Sequence, residues 1–215
     1  MKKILVLTDS LGLSRNSNGN LVRYEKTWVN LLKADFIIHQ VSIGGATITD
    51  IVNQMDYHSQ FQPDIVIVQS GIVDCAPRAF TKTERMIFSA VPLVNKLFNK
   101  ISANYGRQIR NFRQKTYTPP RIFEGSINKI RDFFFPVPVY FLGIVPAMED
   151  YEKQVKGIKN KIDLYNNIIK KSANYISLEE ITIDRLMPDW HHLNESGNEY
   201  VYRKILQEIN LTNVK

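Results

Sequence analysis

The chain has 215 residues, of which 44% are hydrophobic and 23% are charged, and these values exclude collagen, coiled-coil and intrinsically disordered proteins. Its single cysteine, Cys75, excludes an intramolecular disulfide framework and any metal site with several cysteine ligands. The net charge of +7 is concentrated in residues 78–121, which hold ten lysines and arginines but only one acid, Glu84.

The length of the chain predicts the number of domains, and its apolar stretches predict where in the cell the protein is found. A chain of 215 residues can bury a large core as one domain, so we expect a single domain over residues 1–215. The N-terminal apolar run ends at Asp9, too early for a signal peptide. The longest uncharged stretch, residues 133–148, contains three prolines and falls short of a membrane-spanning helix. We therefore expect a soluble, cytoplasmic protein without a transmembrane segment.

Five short apolar runs predict β-strands, and the segments between them predict helices. The runs are largely continuous, as in strands buried on both faces of a parallel sheet, and they cover residues 4–7, 36–41, 65–68, 139–142 and 175–178. The helical patterns cover residues 21–32, 48–55, 81 to about 115, 122–134, 155–173 and 196–209. Because strands and helices alternate, we predict an α/β fold, a three-layer α/β/α sandwich with a flavodoxin-like five-stranded parallel sheet.

Two of the predicted helices carry boundary signals. Ser196 and Glu199 have the spacing of a capping box at the start of the last helix. The long third helical segment contains Pro92 and is followed by Pro119, so we expect it to kink once and then stop. This segment is longer than a crossover needs. We interpret residues from about 79 to 120 as a basic helical insertion or cap.

The basic insertion raises the question of partners. A solvated helical face is the simplest interpretation of such a charge run. Contact with an anionic membrane surface through residues 78–121 is an alternative, and nucleic-acid binding is a weaker one. The oligomeric state has no signal in the sequence.

Polar residues follow the predicted strands at the edge where parallel sheets bind ligands. Ser10 follows the first strand, Gly45 follows the second, and Asp189 and His192 lie in the loop after the fifth. A spacing of three lets the Asp189 carboxylate reach the ring Nδ1 of His192 and leaves Nε2 free for Ser10. This set predicts a nucleophilic serine, its base and an orienting acid, with the N–H groups of Ser10 and Gly45 as oxyanion donors.

Four sequence blocks resemble those of the SGNH (GDSL-type) hydrolases. Thr8-Asp9-Ser10-Leu11 resembles the family's Gly-Asp-Ser-Leu block, and Gly45-Ala46-Thr47 resembles its second block. Gly71-Ile72-Val73-Asp74 stands where the family has Gly-x-Asn-Asp, and Asp189-Trp190-His191-His192 resembles the closing Asp-x-x-His block. The resemblance covers nearly the whole chain except about residues 79–120. It implies that Ser10 is the nucleophile, His192 the base, Asp189 the orienting acid and Gly45 an oxyanion donor.

The third block departs from the family pattern at Val73, which replaces an asparagine whose amide would donate to the oxyanion. Loss of one such donor costs about 10²- to 10³-fold in kcat, so a catalyst would need a substitute. Arg78, Gln69 and Asn16 are candidates, and a cationic Arg78 would also attract an anionic substrate. We predict Asp74 and Arg78 as substrate-binding residues, with an ion pair between them as the alternative.

These residues favour a serine esterase that removes a short acyl group, such as O-acetyl, from a carbohydrate or another small-molecule ester through an acyl-serine intermediate. One alternative is an O-acyltransferase acting on a surface-polysaccharide sugar, because the same three residues serve both reactions. Another is a carbohydrate-binding module with weakened catalysis, which the Val73 substitution suggests. We expect no cofactor and no metal, since no cluster has metal-ligand spacing.

Overall fold

A five-stranded parallel sheet forms the centre of the computed structural model, which describes residues 1–17 and 19–212 and side chains up to residue 209. The strands are β1 (Lys3–Thr8), β2 (Arg15–Ser17), β3 (Asn20–Val22), β4 (Ile37–Ser42), β5 (Ile65–Gln69), β6 (Val139–Leu142) and β7 (Asn174–Ile176). β2 and β3 form an antiparallel hairpin, and the other strands form the sheet in the order β4-β1-β5-β6-β7. All neighbouring strands of this sheet are parallel, so the predicted α/β fold with flavodoxin-like strand order is confirmed.

The helices of the described residues follow the strands along the chain. They are α1 (Trp28–Leu31), α2 (Ile48–Val52), α3 (Met55–Ser59), α4 (Ile72–Cys75), α5 (Lys82–Ser89), α6 (Pro92–Arg113), α7 (Pro120–Phe134), α8 (Glu149–Gln154), α9 (Ile158–Ser172) and α10 (Glu195–Thr212). None of these helices is long and apolar enough to cross a membrane.

The two faces of the sheet carry separate hydrophobic clusters. Leu5 and Leu7 of β1 are buried in a cluster with side chains of α2, α7 and α9. Ile4 and Val6 alternate with them and are buried in a second cluster, which includes side chains of α1 and α10. Both clusters need apolar residues from the same strand, which explains why β1 is a continuous apolar run.

The predicted helix over residues 21–32 is wrong in its first half. Gly19 has a positive φ of +80°, which only glycine adopts readily, and it turns the chain so that Leu21 pairs with Asn16 across the β2–β3 hairpin. The α-helix begins only at Trp28, where the Thr27 side chain accepts a hydrogen bond from the N–H of Asn30. A local turn therefore outweighs the helical spacing of the apolar residues.

Two predicted helix boundaries also differ from the structure. Pro92 does not kink a continuous helix but is the first residue of α6. Val91 before it has an extended backbone, so α5 and α6 are separate helices. Ser196 does not cap α10. Asn194 does so, since its Oδ1 accepts from the N–H of Gly197 at 3.0 Å and from the Ser196 hydroxyl at 2.8 Å.

The predicted basic insertion contains α5 and α6, which we call the α5–α6 hairpin (residues 82–113). Neither helix has a buried residue. Large apolar side chains of α6 are exposed, including Leu93 at 80% and Leu97 at 60%. The chain enters the hairpin after Arg78 and leaves it before Lys115. These two residues lie side by side, and the N–H of Arg78 donates to the carbonyl of Lys115 at 2.7 Å. The predicted membrane contact of this segment stays a prediction.

Candidate active site

Ser10 lies at the carboxyl edge of the sheet, at the start of a short 3₁₀ turn after β1. The N–H of Asp9 donates to the carbonyl of Gln69 on the neighbouring strand at 3.1 Å. The Asp9 side chain then accepts from the N–H of Leu11 at 2.9 Å. These two bonds fix the backbone on both sides of Ser10, so the orientation of its hydroxyl is set by the end of β1 and not by a mobile loop.

Asp189 and His192 lie in a tight loop that is closed at its base. Leu186 and Leu193 form an antiparallel bridge, and the N–H of Met187 donates to the carbonyl of His192 at 2.8 Å. Within the loop, Trp190 has a φ of +62°, an uncommon conformation for a large side chain. This left-handed residue turns the chain back so that the Asp189 carboxylate faces the residues that follow it.

The structure brings Ser10, His192 and Asp189 into one hydrogen-bonded row. Ser10 Oγ lies 3.0 Å from His192 Nε2, and His192 Nδ1 lies 2.9 Å from Asp189 Oδ2. The other carboxylate oxygen, Oδ1, accepts from the N–H of His192 at 3.1 Å. His192 itself is only 4% exposed. A carboxylate that accepts from Nδ1 leaves Nε2 as an acceptor for the serine proton, the arrangement that general-base activation of a hydroxyl requires.

Asp189 is held in its ionised form. Burial alone would raise its pKa, but the hydrogen bonds from the ring and backbone of His192 and the charges of both histidines lower the pKa well below its usual range. Arg15 adds a further positive charge, with its Nε 3.4 Å from Asp189 Oδ2. The orienting acid therefore remains a carboxylate wherever the histidine can act as a base.

His191 is adjacent to this row but does not join it. Its Nδ1 lies 2.8 Å from the backbone carbonyl of Asp189, and its ring stacks on Tyr151 with centroids 5.4 Å apart. Burial, followed by the charge of His192, lowers the pKa of His191. The His191 ring contacts both Tyr151 and the His192 ring beside the reacting groups.

Gly45 follows β4 at the edge of the sheet where Ser10 follows β1, because Thr8 of β1 pairs with Ser42 of β4. Its φ of +74° requires glycine, and no atom lies within 4 Å of the place where a Cβ would be. Among the described residues, neither the N–H of Gly45 nor that of Ser10 has a hydrogen-bond acceptor. Both N–H groups are therefore unengaged in the described part of the chain, and their role as oxyanion donors stays a prediction.

The residue at the family's asparagine position does not provide a donor. Val73 lies on α4 and packs against the hydrophobic cluster beneath it. Of the three proposed substitutes, Gln69 is buried and its Oε1 has no partner among the described residues. Asn16 is exposed on the β2–β3 hairpin, and Arg78 stacks over the ring of Tyr117 at 4.8 Å. No contact in the described part of the chain links these three side chains to Ser10.

The structure buries Asp74, which was predicted to bind substrate, away from the surface. Its carboxylate is fully buried and accepts from the N–H of Ile48 at 3.0 Å, from the Ser70 hydroxyl at 3.0 Å and from the Thr118 hydroxyl. Burial raises the pKa of Asp74, and these donors oppose that effect. The alternative ion pair with Arg78 does not form among the described residues. Asp74 thus ties α2, and with it the Gly45 loop, to α4.

One group of side chains could hold a cation by geometry. Asp189, His191 and His192 each offer a ligand atom, and these atoms lie within 4.8 Å of one another. Two of the three residues already bond to each other and to Ser10 in the row described above. The group carries no separate metal site in our interpretation.

The sequence interpretation did not single out Arg15, Arg110 or Tyr151 for this site. Arg15 reaches Asp189 from β2, where the sequence predicts no element, and the predicted helix over residues 21–32 overlaps only β3 of the hairpin. The Tyr151 ring stacks on the His191 ring. The positive charges of Arg78 and Arg110 oppose the rise in the pKa of the Tyr151 hydroxyl that burial causes. The excess of basic residues in 78–121 was the one available signal, and it does not say which arginine faces the site.

No protein-family model and no curated protein sequence matches the chain. Solved structures do match it. A lipase/acylhydrolase from Enterococcus faecalis superposes with a TM-score of 0.67 at 13% identity, covering 97% of this chain and 95% of that one. The esterase EstA from Pseudoalteromonas sp. gives 0.61 at 13% identity and covers 100% of both chains. An acetylxylan esterase from Geobacillus stearothermophilus gives 0.59 at 16% identity, with 97% and 94% covered. The chain is similar to these esterases in fold over nearly its full length.

Proposed function

We propose that this protein is an ester hydrolase of the SGNH type that removes a short acyl group, such as O-acetyl, from a carbohydrate. The proposal rests mainly on one observation, the continuous row of Ser10 Oγ, His192 and the Asp189 carboxylate with separations of 3.0 Å and 2.9 Å. The shared fold with named esterases and acylhydrolases supports the ester substrate class. The acetylated carbohydrate is the more specific part of the proposal and is suggested by the acetylxylan esterase neighbour.

The proposed reaction has two matching halves. His192 Nε2 takes the proton of Ser10 as Oγ bonds to the acyl carbon, and the N–H groups of Ser10 and Gly45 donate to the oxyanion. The ring then gives its proton to the departing alcohol oxygen, which leaves an acyl-serine. Water attacks this ester with His192 as base again, and the acid and the free Ser10 hydroxyl are released. Two backbone donors, without the asparagine, predict a slower enzyme than one with three, by about 10²- to 10³-fold in kcat.

A fluorophosphonate probe and a panel of acetylated sugars and aryl esters test the proposal. We expect the probe to label native protein at Ser10, and we expect Ser10→Ala and His192→Ala to lose labelling and about 10⁴- to 10⁶-fold in kcat. Ser14→Ala and His58→Asn are matched controls and should label normally. Ser14 is exposed, the His58 ring contacts His39, and neither side chain has a hydrogen bond to the row among the described residues.

Two outcomes would count against hydrolysis. Failure of the native protein to label would favour a carbohydrate-binding module that has lost catalysis. Labelling at Ser10 with acyl transfer to an added sugar, and no free acid released, would favour the O-acyltransferase, which needs an ordered acceptor and a dry site.

A further inference from the structure

Two half-buried arginines near the candidate active site keep N–H donors without a hydrogen-bond partner among the described residues. The Nε atoms of Arg78 and Arg110 are buried and have no hydrogen-bond partner among the described residues. Neither side chain forms an ion pair with a carboxylate in that part of the chain, whereas Arg15 and Arg113 do. Only the Nε atoms are buried, while the side chains as a whole are half-buried, so their other N–H groups stay accessible to a ligand. An anion bound there would supply the acceptor and the counter-charge that these donors lack.

Backbone hydrogen bonds bring the two arginines into the same region, because the N–H of Arg78 donates to the carbonyl of Lys115 and the N–H of Gln114, which precedes Lys115, donates to the carbonyl of Arg110. Burial lowers the pKa of Arg110, and the positive charges of Arg107 and Arg78 lower it further. Arg110 Nη2 donates to the carbonyl of Gln154 at 2.6 Å, which anchors one end of its guanidinium group against α8. The stacking of Arg78 over Tyr117 holds the second group. Each guanidinium group therefore has one contact that positions it before a ligand binds.

Tyr151 connects this pair to the reacting groups. Its ring stacks on His191 with an interplanar angle of 16°, and His191 directly precedes the proposed base. Burial raises the pKa of the Tyr151 hydroxyl to about 12, and the charges of Arg78, Asp189 and Arg110 all act on this hydroxyl. The hydroxyl has no hydrogen-bond partner among the described residues. Helix α8 thus contacts Arg110 through Gln154 and contacts His191 through Tyr151.

We infer that Arg78 and Arg110 form a subsite for an anionic group on the ester substrate, a carboxylate or a phosphate. Planar guanidinium groups bind both anions through paired N–H donors, which would satisfy the buried Nε atoms. The substrate class becomes an acylated acidic or phosphorylated sugar. This inference rests on the proposed function, and it adds a specificity that the row of Ser10, His192 and Asp189 does not provide.

Three sugars that differ at one carbon test the subsite. They are acetylated methyl glucoside, acetylated methyl glucuronoside and acetylated methyl glucoside 6-phosphate, and acetate release gives kcat and KM for each. We expect Arg78→Gln and Arg110→Gln to lower kcat/KM for an anionic ester by about tenfold to a hundredfold, mainly through KM, and to leave the neutral ester unchanged. The anionic ester with the larger loss identifies carboxylate or phosphate as the anion.

Matched variants separate charge from geometry. Arg121→Gln removes one exposed charge from the same basic segment and should change nothing. Arg78→Lys and Arg110→Lys keep the charge without the paired donors, so they should recover only part of the loss. Thermal unfolding of each variant shows whether it is folded. Equal kcat/KM for charged and neutral esters in native protein and variants would overturn the subsite and leave the hydrolase intact.

Binding to Ser10→Ala distinguishes failure of the subsite from failure of the proposed function. Calorimetric titration with methyl glucuronoside and with methyl glucoside 6-phosphate should show binding of at least one anion, which Arg110→Gln abolishes. If this binding occurs but the native protein hydrolyses none of the esters, the subsite stands and the hydrolase is wrong. If neither binding nor hydrolysis occurs, both are wrong.

Discussion

At the scale of single residues, Asp9 at the end of β1 has both a positioning role and a buried carboxyl group. Asp9 must orient the backbone of Ser10 through the N–H of Leu11, yet its side chain is fully buried. Its Oδ2 has no hydrogen-bond partner among the described residues. Burial, reinforced by the charge of Asp74, raises the pKa of Asp9 to about 7, although the Leu11 N–H opposes the effect. The native state therefore favours the protonated acid.

This raised pKa predicts a pH-dependent stability. The folded protein binds the Asp9 proton more tightly than the unfolded chain, so the stabilisation is complete below about pH 4 and is lost as pH rises through about 7. We expect Asp9→Asn, which keeps the acceptor for Leu11, to remove this loss and to be more stable than native protein at pH 8. Urea unfolding at several pH values measures the difference.

The exposed Asp163 provides the control for this measurement. Asp163→Asn should follow the native pH dependence throughout. A constant stability difference between Asp9→Asn and native protein from pH 4 to pH 8 would show that Asp9 does not titrate in this range.

At the scale of elements, the start of α10 positions the loop that carries Asp189 and His192. Asn194 caps the helix, and its own N–H donates to the carbonyl of Arg185 at 3.0 Å. Gly197 in the first turn lies directly against that same Arg185 carbonyl, where a Cβ would clash. Close contact between helix and loop therefore depends on the absence of a side chain at this position.

Replacing this glycine should damage both stability and activity. We expect Gly197→Ala to lower the free energy of unfolding by about 1 to 3 kcal/mol, because the helix or the loop must move. The same movement displaces His192 from Ser10, so kcat should fall while KM changes little. Gly125→Ala is the matched control. No atom lies within 4 Å of its Cβ position in α7, and alanine should raise stability by up to about 1 kcal/mol. Similar effects of the two substitutions would refute the close-contact explanation.

At the scale of the whole molecule, the α5–α6 hairpin is separable from the core. Its helices bury no residue, and the two chain segments that lead into it are bridged at Arg78 and Lys115. Phe80, just before the hairpin, packs against Phe88 and Phe98 within it. Polar contacts join the hairpin to more distant parts of the chain, such as Arg110 with the carbonyl of Gln154 and Lys82 with Asp50. Surface contacts of this kind contribute little to stability.

A shortened chain tests this separability. We expect a variant in which a Gly-Asn-Gly-Ser turn replaces residues 79–114 to unfold cooperatively in urea and to keep probe labelling at Ser10, because both hydrophobic clusters remain complete. Loss of the cooperative transition would show that the hairpin belongs to the folding unit. Retention of the transition without labelling would show that the hairpin shapes the candidate site.

Much of the fold could be predicted from the sequence because it follows from local pattern. Continuous apolar runs predicted the five strands of the sheet, and the alternation of strands and helices predicted their parallel order. The same order carries Ser10, Gly45 and the Asp189–His192 loop to one edge, so the members of the candidate site could be named before the structure was known. Their catalytic roles stay predictions that the labelling experiment tests.

The remaining features depend on distances between residues far apart in the chain, which no local pattern encodes. The spacing around Leu21 favoured a helix, but the turn at Gly19 and pairing with Asn16 produced a hairpin that delivers Arg15 to Asp189. Burial turned Asp74 from a predicted substrate contact into a tie between α2 and α4. The juxtaposition of Arg78 and Arg110, and with it the inferred anion subsite, arises only when α6 packs beside α8, because electrostatic interactions depend on separation in space and not along the sequence.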